Sequence, residues 1–455
     1  MNNKSRAAAC AAVIASALLV TGCSGGSSPQ ASPASFTAEP AGSLKVWGFS
    51  GADDERDARV AYAKKQLTGV DVSVDHTPFD AQKFTTRAAA GTIPDLVQMD
   101  RQSIATYAAQ GLVIPLDQCF AAHRVDPKTA YYPAIVDDVT YDGSVWAVPE
   151  YYSAPAIVTN RRVMEAAGVT DADIDTSRPD VLIAAIAKMY RASGGNPTVL
   201  GFDPQVHGHP DLWVLAYGGQ LIDSRGKPTL DDPRNVKGLE VVKAIADAQG
   251  GYAKLRSFTD SFDFFGKNNQ FVTDQVGAEV AHQWFGNVLT PYFGSIDISA
   301  VPFRDSSGAP FAATTDDGFV IPAGSRNTTA ACAFAVAATS LPAWEAGGAA
   351  RHKTIAETPG AVDTGLFTGS PEADRVLREM YVKPSGNAGF DTAIDTFYEA
   401  LGHGKSFGSS PAGQQIQVEL QNVIQAYLLG SKSADQALRE AQAGAMRAYQ
   451  RSTGH

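Results

Sequence analysis

Carboxylates beside short apolar runs are the residues of this 455-residue chain that could do chemistry most directly. Asp53 and Asp100 each follow such a run, and Asp317 precedes another. Two carboxyls about 5–5.5 Å apart would suit a retaining glycosidase, and a separation of about 6.5–9.5 Å would suit an inverting one. No Cys/His pairing and no metal-ligand spacing supports catalysis. We therefore predict that the chain is not an enzyme, and keep glycoside chemistry as an alternative.

Metal and nucleotide chemistry find no support in the sequence. The 8 histidines are scattered, and His207 and His209 are the closest pair. The chain has neither a CxxC pair nor an HExxH motif, the spacings typical of zinc sites. It also lacks the Gly-rich Lys-Ser/Thr loop that cradles nucleotide phosphates. We expect no metal and no cofactor.

Alternating strands and helices are predicted to position Asp53 and Asp100. Strand-like and helix-favouring stretches follow one another along 44–47, 53–66, 70–74, 84–90, 94–99 and 103–110. This βαβα rhythm is typical of a parallel sheet covered by helices. Because ligands of such sheets bind beyond the carboxyl ends of the strands, we expect the loops at 48–53 and 100–101 to border a ligand.

The amino terminus has the layout of an export signal. Lys4 and Arg6 precede the apolar residues 7–20, and two small residues stand before Cys23. The run Val20-Thr21-Gly22-Cys23 resembles the bacterial lipobox, in which the cysteine is acylated after cleavage. We therefore expect an exported protein anchored to the outer face of the cytoplasmic membrane by lipid on Cys23. An ordinary secretory leader with an incidental cysteine is the alternative.

Composition excludes several classes of protein. The formal net charge of −11 argues against nucleic-acid binding, which needs clustered Lys and Arg. The stretch 7–20 is too short for a confident membrane span, and no later apolar run is as long. Residues 24–42 are rich in Ser, Gly, Ala and Pro, which is typical of a flexible tether.

Two cysteines remain once Cys10 leaves with the leader and Cys23 carries lipid. In an oxidising compartment Cys119 and Cys332 could form a disulfide. Both could equally be small buried apolar residues. The sequence leaves the two possibilities open.

A series of short motifs extends over nearly all of the chain after the leader. They are Lys45-Val46-Trp47, Ala88-Ala89-Ala90-Gly91 with Pro94-Asp95, Gly111-Leu112 with Pro115-Leu116-Asp117, Tyr141-Asp142-Gly143 with Trp146-Ala147-Val148-Pro149, Thr159-Asn160-Arg161, Tyr217-Gly218-Gly219, the run from Gly277 to Trp284, and the run from Asp317 to Ser325. In this order and spacing they resemble the family 1 extracellular solute-binding proteins, the maltose-binding-protein-like sugar-binding lipoproteins of ABC importers. Each motif alone is common, so the combination carries the resemblance.

The resemblance implies an α/β fold of two lobes, the type II periplasmic-binding-protein fold, with the ligand in a cleft that closes about a hinge. The implied division is a signal peptide at 1–22, a tether at 23–42, a first lobe at 43–150 and 317–370, and a second lobe at 151–316 and 371–455.

The resemblance also implies a carbohydrate ligand, delivered to the membrane subunits of an ABC importer. Sugars present apolar faces and a rim of hydroxyls, so their sites need flat aromatic rings and planar polar groups. The candidate ligand-binding residues are Phe49, Asp53, Asp100, Tyr151, Tyr152, Ser153, Trp213, Trp284, Asp316, Asp317 and Gly318.

Several alternatives stay open. Trp213 could belong to the core, Asp53 could act only as a helix-terminal acid, and Asp100 could cap the following helix. Where many members of the family have glycines, this chain has Asp316 before Asp317, which favours a neutral or an amino sugar. A glycerophosphodiester is the second ligand class, disfavoured because Arg101 is the main basic residue nearby. A sensor or adhesin without an importer would share this fold.

Overall fold

The computed structural model describes residues 36–51 and 53–454. The predicted signal peptide, the lipidation at Cys23 and the tether as far as residue 35 lie outside the described residues. Phe36 is buried and the first strand begins at Gly42. The folded part therefore starts before residue 42, where the sequence placed the end of the tether.

The strands and helices alternate over much of the chain. The strands are β1 (Gly42–Trp47), β2 (Val70–Asp75), β3 (Leu96–Asp100), β4 (Thr140–Tyr141), β5 (Ser144–Val145), β6 (Val148–Pro149), β7 (Pro155–Asn160), β8 (Arg191–Ser193), β9 (Asn196–Val199), β10 (Ala278–His282), β11 (Ile298–Val301), β12 (Ala312–Ala313), β13 (Asp317–Val320) and β14 (Gly404–Lys405). The helices are α1 (Asp54–Gln66), α2 (Ala81–Ala89), α3 (Arg101–Ala109), α4 (Asp117–Ala122), α5 (Pro127–Ala130), α6 (Pro133–Val139), α7 (Arg161–Ala167), α8 (Pro179–Met189), α9 (Leu212–Ala216), α10 (Asn235–Asp247), α11 (Tyr252–Thr259), α12 (Phe285–Leu289), α13 (Thr328–Ala338), α14 (Leu341–Ala356), α15 (Pro371–Tyr381), α16 (Ala388–Ala400), α17 (Gly413–Leu428) and α18 (Ala434–Thr453). The six elements predicted before residue 111 are all present, with ends shifted by a few residues.

The first sheet has the strand order β2-β1-β3-β13-β6. Its early part is parallel as predicted, because β1 pairs in parallel with both β2 and β3. The strand β13 then returns from much later in the chain and pairs antiparallel with β3 and β6. Residues Leu96–Met99 of β3 are all buried, as expected for a central strand covered on both faces.

The second sheet has the order β10-β7-β11, and both pairings are antiparallel. All six residues of β7 are buried, since α16 packs against β7 and β11. The helices α17 and α18 contribute apolar residues to the same core. Together with the first sheet this makes the two-lobed α/β fold that the sequence predicted.

Extended segments connect the two sheets side by side. Tyr151 pairs with Thr368, and Ser153 pairs with Thr315, so the segment at 150–153 lies between two others. The chain passes from the first sheet to the second through 150–153 and returns just before β13. These segments form the predicted hinge region.

The helix α15 packs among helices of the first lobe, although residues 371–455 are predicted to belong to the second lobe. The helix α15 packs on α14, where Ala373 and Leu377 join Trp344 in a small apolar cluster. Because α14 packs on α1, α15 lies on the side of the first lobe. The helix α17 contacts α3 of the first lobe as well as α18.

A disulfide links Cys119 of α4 to Cys332 of α13, with a Cα–Cα distance of 5.8 Å. Both residues are fully buried. The bond closes a loop across a sequence separation of 213 residues within the first lobe. Removing the disulfide should lower the free energy of unfolding, since the bond restricts the conformations of the unfolded chain.

We predict that the double variant Cys119→Ala/Cys332→Ala loses about 2–5 kcal/mol of unfolding free energy. Urea denaturation followed by circular dichroism measures the change. Dithiothreitol should destabilise the wild type and leave the double variant unaffected. A wild type that is equally stable with and without the reductant would contradict the prediction.

Candidate functional site

Two neighbouring cavities lie between the sheets and share three lining residues, namely Ser153, Trp284 and Asp316. The smaller, about 270 Å³, is also lined by Asp53, Glu55, Arg56, Tyr151, Gln283, Asn287, Arg351, Gly365, Leu366 and Phe367. The larger, about 520 Å³, is also lined by residues that include Asp100, His207, Asp211, His282, Thr315, Gln414, Gln417 and Gln421. The two cavities with the wall they share are called the cleft below.

Trp284 stands where the two cavities meet. It follows β10, and 39% of its surface is exposed. Phe264 supports the indole at a centroid distance of 6.0 Å, and His282 lies beside it at 6.4 Å. A partly exposed, supported ring is the platform that an apolar sugar face requires.

Asp316 holds an unusual backbone conformation in the wall that the two cavities share. Its φ is 119°, which is rare for a residue with a side chain. Three hydrogen bonds hold it: Ser153 Oγ donates to its carboxylate at 2.5 Å, Asp317 N donates at 3.0 Å, and Arg101 N donates to its carbonyl at 3.1 Å. The carboxylate is thereby fixed in the wall shared by both cavities.

Tyr151 and Ser153 reach the cleft from the hinge segment. The Tyr151 hydroxyl donates to Glu55 Oε2 at 2.6 Å and accepts from Arg59 Nη1 at 2.9 Å. Burial raises the pKa of Tyr151 well above its usual value. Gln283, which the sequence analysis did not single out, donates to the Tyr152 carbonyl at 3.2 Å and joins the second lobe to the hinge.

The predicted acids at the strand ends cap helices and also line the cleft. Asp53 accepts from Glu55 N at 3.0 Å at the start of α1, and Asp100 accepts from Gln102 N at 2.8 Å at the start of α3. Burial raises the pKa of Asp100 to about 6, although the neighbouring Arg101 opposes the shift. The capping and cleft-lining roles coexist in both residues.

Two arginines that line the smaller cavity were not identified from the sequence as candidate ligand-binding residues. Arg351 donates to Asp53 at 2.7 Å and to Asp54 at 3.0 Å. Arg56 donates from Nη1 to the Ser50 carbonyl at 2.7 Å, while its buried Nε has no partner among the described residues. Arg56 lies in the first turn of α1, soon after Asp53, and this position could have identified it as a candidate ligand-binding residue. Arg351 lies almost 300 residues away, and only folding brings it to the cleft.

Three of the aromatic residues predicted to contact the ligand have buried side chains and line neither cavity. Phe49 packs under the cleft on Phe319 at a centroid distance of 5.1 Å. Tyr152 packs on Tyr132 at 4.6 Å. Trp213 donates from Nε1 to the Pro204 carbonyl at 3.0 Å inside the second core, which is the alternative that the sequence left open.

Two further candidate ligand-binding residues, Asp317 and Gly318, lie in β13 and pair with neighbouring strands through their backbones. Asp317 pairs with Asp100, and Gly318 pairs with Met99 and Pro149. Neither residue lines the two cavities. Burial, followed by the charge of Asp316, raises the pKa of Asp317 well above its usual value.

Two neighbouring histidines lie at the larger cavity, where His209 is buried and His282 is half-buried and lines the cavity. The rings of His209 and His282 lie 4.2 Å apart, and neither Nδ1 atom has a hydrogen-bond partner among the described residues. Burial lowers the pKa of His209 to about 4, and burial with the neighbouring His209 lowers that of His282. No cluster of three or more metal-binding side chains occurs in the ranges 36–51 and 53–454.

The variant His209→Gln should remove a source of acid sensitivity. In the wild type the unfolded chain binds a proton on this histidine near pH 6.5 and the folded chain only near pH 4. The free energy of unfolding of the wild type, taken relative to that of the variant, should therefore fall by up to about 3 kcal/mol between pH 7 and pH 4. Urea titrations at several pH values measure it. A difference that stays constant over this range would contradict the prediction.

Solved structures of binding proteins share the fold of this chain. The mannotriose-bound structure of CpMnBP1 has a TM-score of 0.71 and 22% identity, covering 89% of this chain and 99% of that one. The sugar-binding protein MalE of Xanthomonas citri has a TM-score of 0.67 and 18% identity, covering 90% and 98%. The GacH receptor of Streptomyces glaucescens, solved unliganded and with acarbose, has a TM-score of 0.65 and 19% identity, covering 91% and 99%.

Sequence comparisons give the family. A protein of Brucella abortus (strain 2308) named as a binding protein is 25% identical over 186 residues, which are 39% of this chain and 43% of that protein. The chain thus spans less than half the length of this relative. The family model for bacterial extracellular solute-binding proteins matches residues 58–363. These proteins bind substrates and are not enzymes, as the sequence predicted. The chain therefore belongs to the bacterial extracellular solute-binding protein family.

Proposed function

We propose that the protein captures a neutral or amino di- or oligosaccharide in the cleft and delivers it to the membrane subunits of an ABC importer. The observation that carries the proposal is the partly exposed Trp284, surrounded by fixed hydrogen-bonding groups on both lobes. An apolar platform next to planar polar groups matches both surfaces of a sugar. Similar folds solved with mannotriose bound and in complex with acarbose support this ligand class.

The charges around the cleft favour a ligand without net negative charge. Arg351 is paired with Asp53 and Asp54, while Glu55 and Asp316 add further carboxylates to the smaller cavity. Arg101 does not face the cleft, because its guanidinium is fully buried and bound to Asp138 and backbone carbonyls. A glycerophosphodiester remains the second candidate because Arg56 Nε is a donor without a partner in the described part of the chain.

We also propose that lipid on Cys23 anchors the protein outside the cytoplasmic membrane. The basic, apolar and small-residue order that leads to Cys23 supports this. None of the helices described in the structure is long and apolar enough to cross a membrane. A lipid-anchored receptor would stay close to its importer while the lobes open and close.

A thermal-shift screen of the chain from residue 24 tests the ligand. Saccharides, amino sugars and glycerophosphodiesters are added one at a time. A ligand at about 100 times its dissociation constant should stabilise the protein by about 2.7 kcal/mol. The shift with a saccharide should disappear in Trp284→Ala and persist in Met380→Ala, which alters an exposed apolar side chain outside both cavities. A response to phosphodiesters alone would overturn the sugar class.

Fractionation of cells that express the full chain tests the anchor. The wild type should partition into the detergent phase of Triton X-114, whereas Cys23→Ser should move to the aqueous phase, because one thioether-linked lipid group is lost. The matched control is Cys10→Ser, in the same leader, which should partition like the wild type. Equal partitioning of wild type and Cys23→Ser would reject lipidation.

A further inference from the structure

Phe265 is the most exposed large apolar side chain of the part of the chain that the structure describes, at 75%. A single exposed apolar residue is ordinary. Phe265 is different because its ring lies nearly parallel to Trp284, with an interplanar angle of 17° and a centroid distance of 6.2 Å. The exposed phenylalanine therefore extends the aromatic platform of the cleft.

Trp284 has a second nearly parallel neighbour on the cavity side. The rings of His282 and Trp284 make an angle of 29° at 6.4 Å. We call Phe265, Trp284 and His282 the aromatic row. His282 lines the larger cavity, Trp284 lines both cavities, and Phe265 lines neither. The row thus runs from inside the cleft to the outer surface.

The loop that carries Phe265 is held in place by hydrogen bonds. Asp263 accepts from Asn268 N at 3.0 Å through its side chain and from Gly266 N at 2.9 Å through its carbonyl. Asn269 Nδ2 donates to the Phe264 carbonyl at 2.6 Å. A Cβ on Gly266 would lie 2.0 Å from Asp263 Oδ1, so a larger residue here would displace the Asp263 side chain.

The residue before Phe265 anchors the loop on the apolar side. Phe264 packs on the fully buried Phe285 at a centroid distance of 4.7 Å. With Phe264 directed to the core, the next side chain is presented to solvent. The exposure of Phe265 is therefore a product of the fold.

We propose that Phe265 forms an outer subsite for one sugar residue of an oligosaccharide whose inner residues lie on Trp284 and in the cleft. This inference rests on the proposed function and narrows its ligand to a trisaccharide or longer chain. The exposed ring offers an apolar face and no hydrogen-bonding group, so it adds affinity for a sugar face without selecting its hydroxyls. A mono- or disaccharide held by the inner cleft would not reach Phe265.

Isothermal titration calorimetry with two probe series tests the subsite. The probes are mannobiose, mannotriose and mannotetraose, and maltose, maltotriose and maltotetraose. In the series that binds, the wild type should prefer the longer members. Phe265→Ala should weaken their binding roughly two- to tenfold and leave the disaccharide unchanged. Phe265→Trp should restore the preference, and Met380→Ala should bind like the wild type.

The outcomes separate this inference from the proposed function. Trp284→Ala should weaken ligands of every length. If it does so while Phe265→Ala changes nothing, sugar capture stands and the outer subsite is overturned. Equal weakening of all lengths by Phe265→Ala would also overturn it, since the ring would then act on the inner residues. If the wild type binds none of the probes or any other saccharide, the proposed function fails, and this inference fails with it.

Discussion

The buried guanidinium of Arg101 holds together the segments on which the cleft depends. It donates from Nη1 to the Tyr151 carbonyl at 2.6 Å, from Nη2 to the Thr315 carbonyl at 2.5 Å, and from Nε to Asp138 at 3.2 Å. Two crossing segments thus share one charged donor at the start of α3. Because a buried charge is costly unless paired and hydrogen-bonded, this arrangement strongly restricts the hinge geometry. Tyr151, Ser153 and Asp316 line the cavities from segments that Arg101 positions.

A second buried network supports the floor of the smaller cavity. Arg59 pairs with Glu55 at 2.8 Å and with Glu150, and its guanidinium carbon lies 3.7 Å from the ring centroid of Trp344. Arg59 also donates to the Tyr151 hydroxyl. Tyr151 is therefore linked through Arg59 to α1 and α14. A substitution in this network would alter the position of a side chain that lines the cleft. These contacts hold the side chains on this side of the smaller cavity in fixed positions.

Local patterns explain why much of the first lobe could be predicted. Its strands and helices show the expected alternation, and Asp53 and Asp100 are recognisable as residues that precede helices. The order of motifs predicted the two lobes. The packing of α15 on the preceding helix α14 was not predicted, since it depends on tertiary contacts that no local pattern encodes. Arg351 was missed for the same reason.

The sequence by itself determined the export layout, the first βαβα elements, the solute-binding family and the importance of Trp284 as a candidate platform. Only the tertiary structure decided which neighbouring side chains face the cleft. Tyr151 lines it and Tyr152 is buried, because successive side chains of an extended segment point to opposite sides. The side chains of Phe49 and Trp213 are buried in the core, while that of Phe265 is exposed at the surface. Exposure is set by what packs against each ring, and those partners come from segments far apart in the chain.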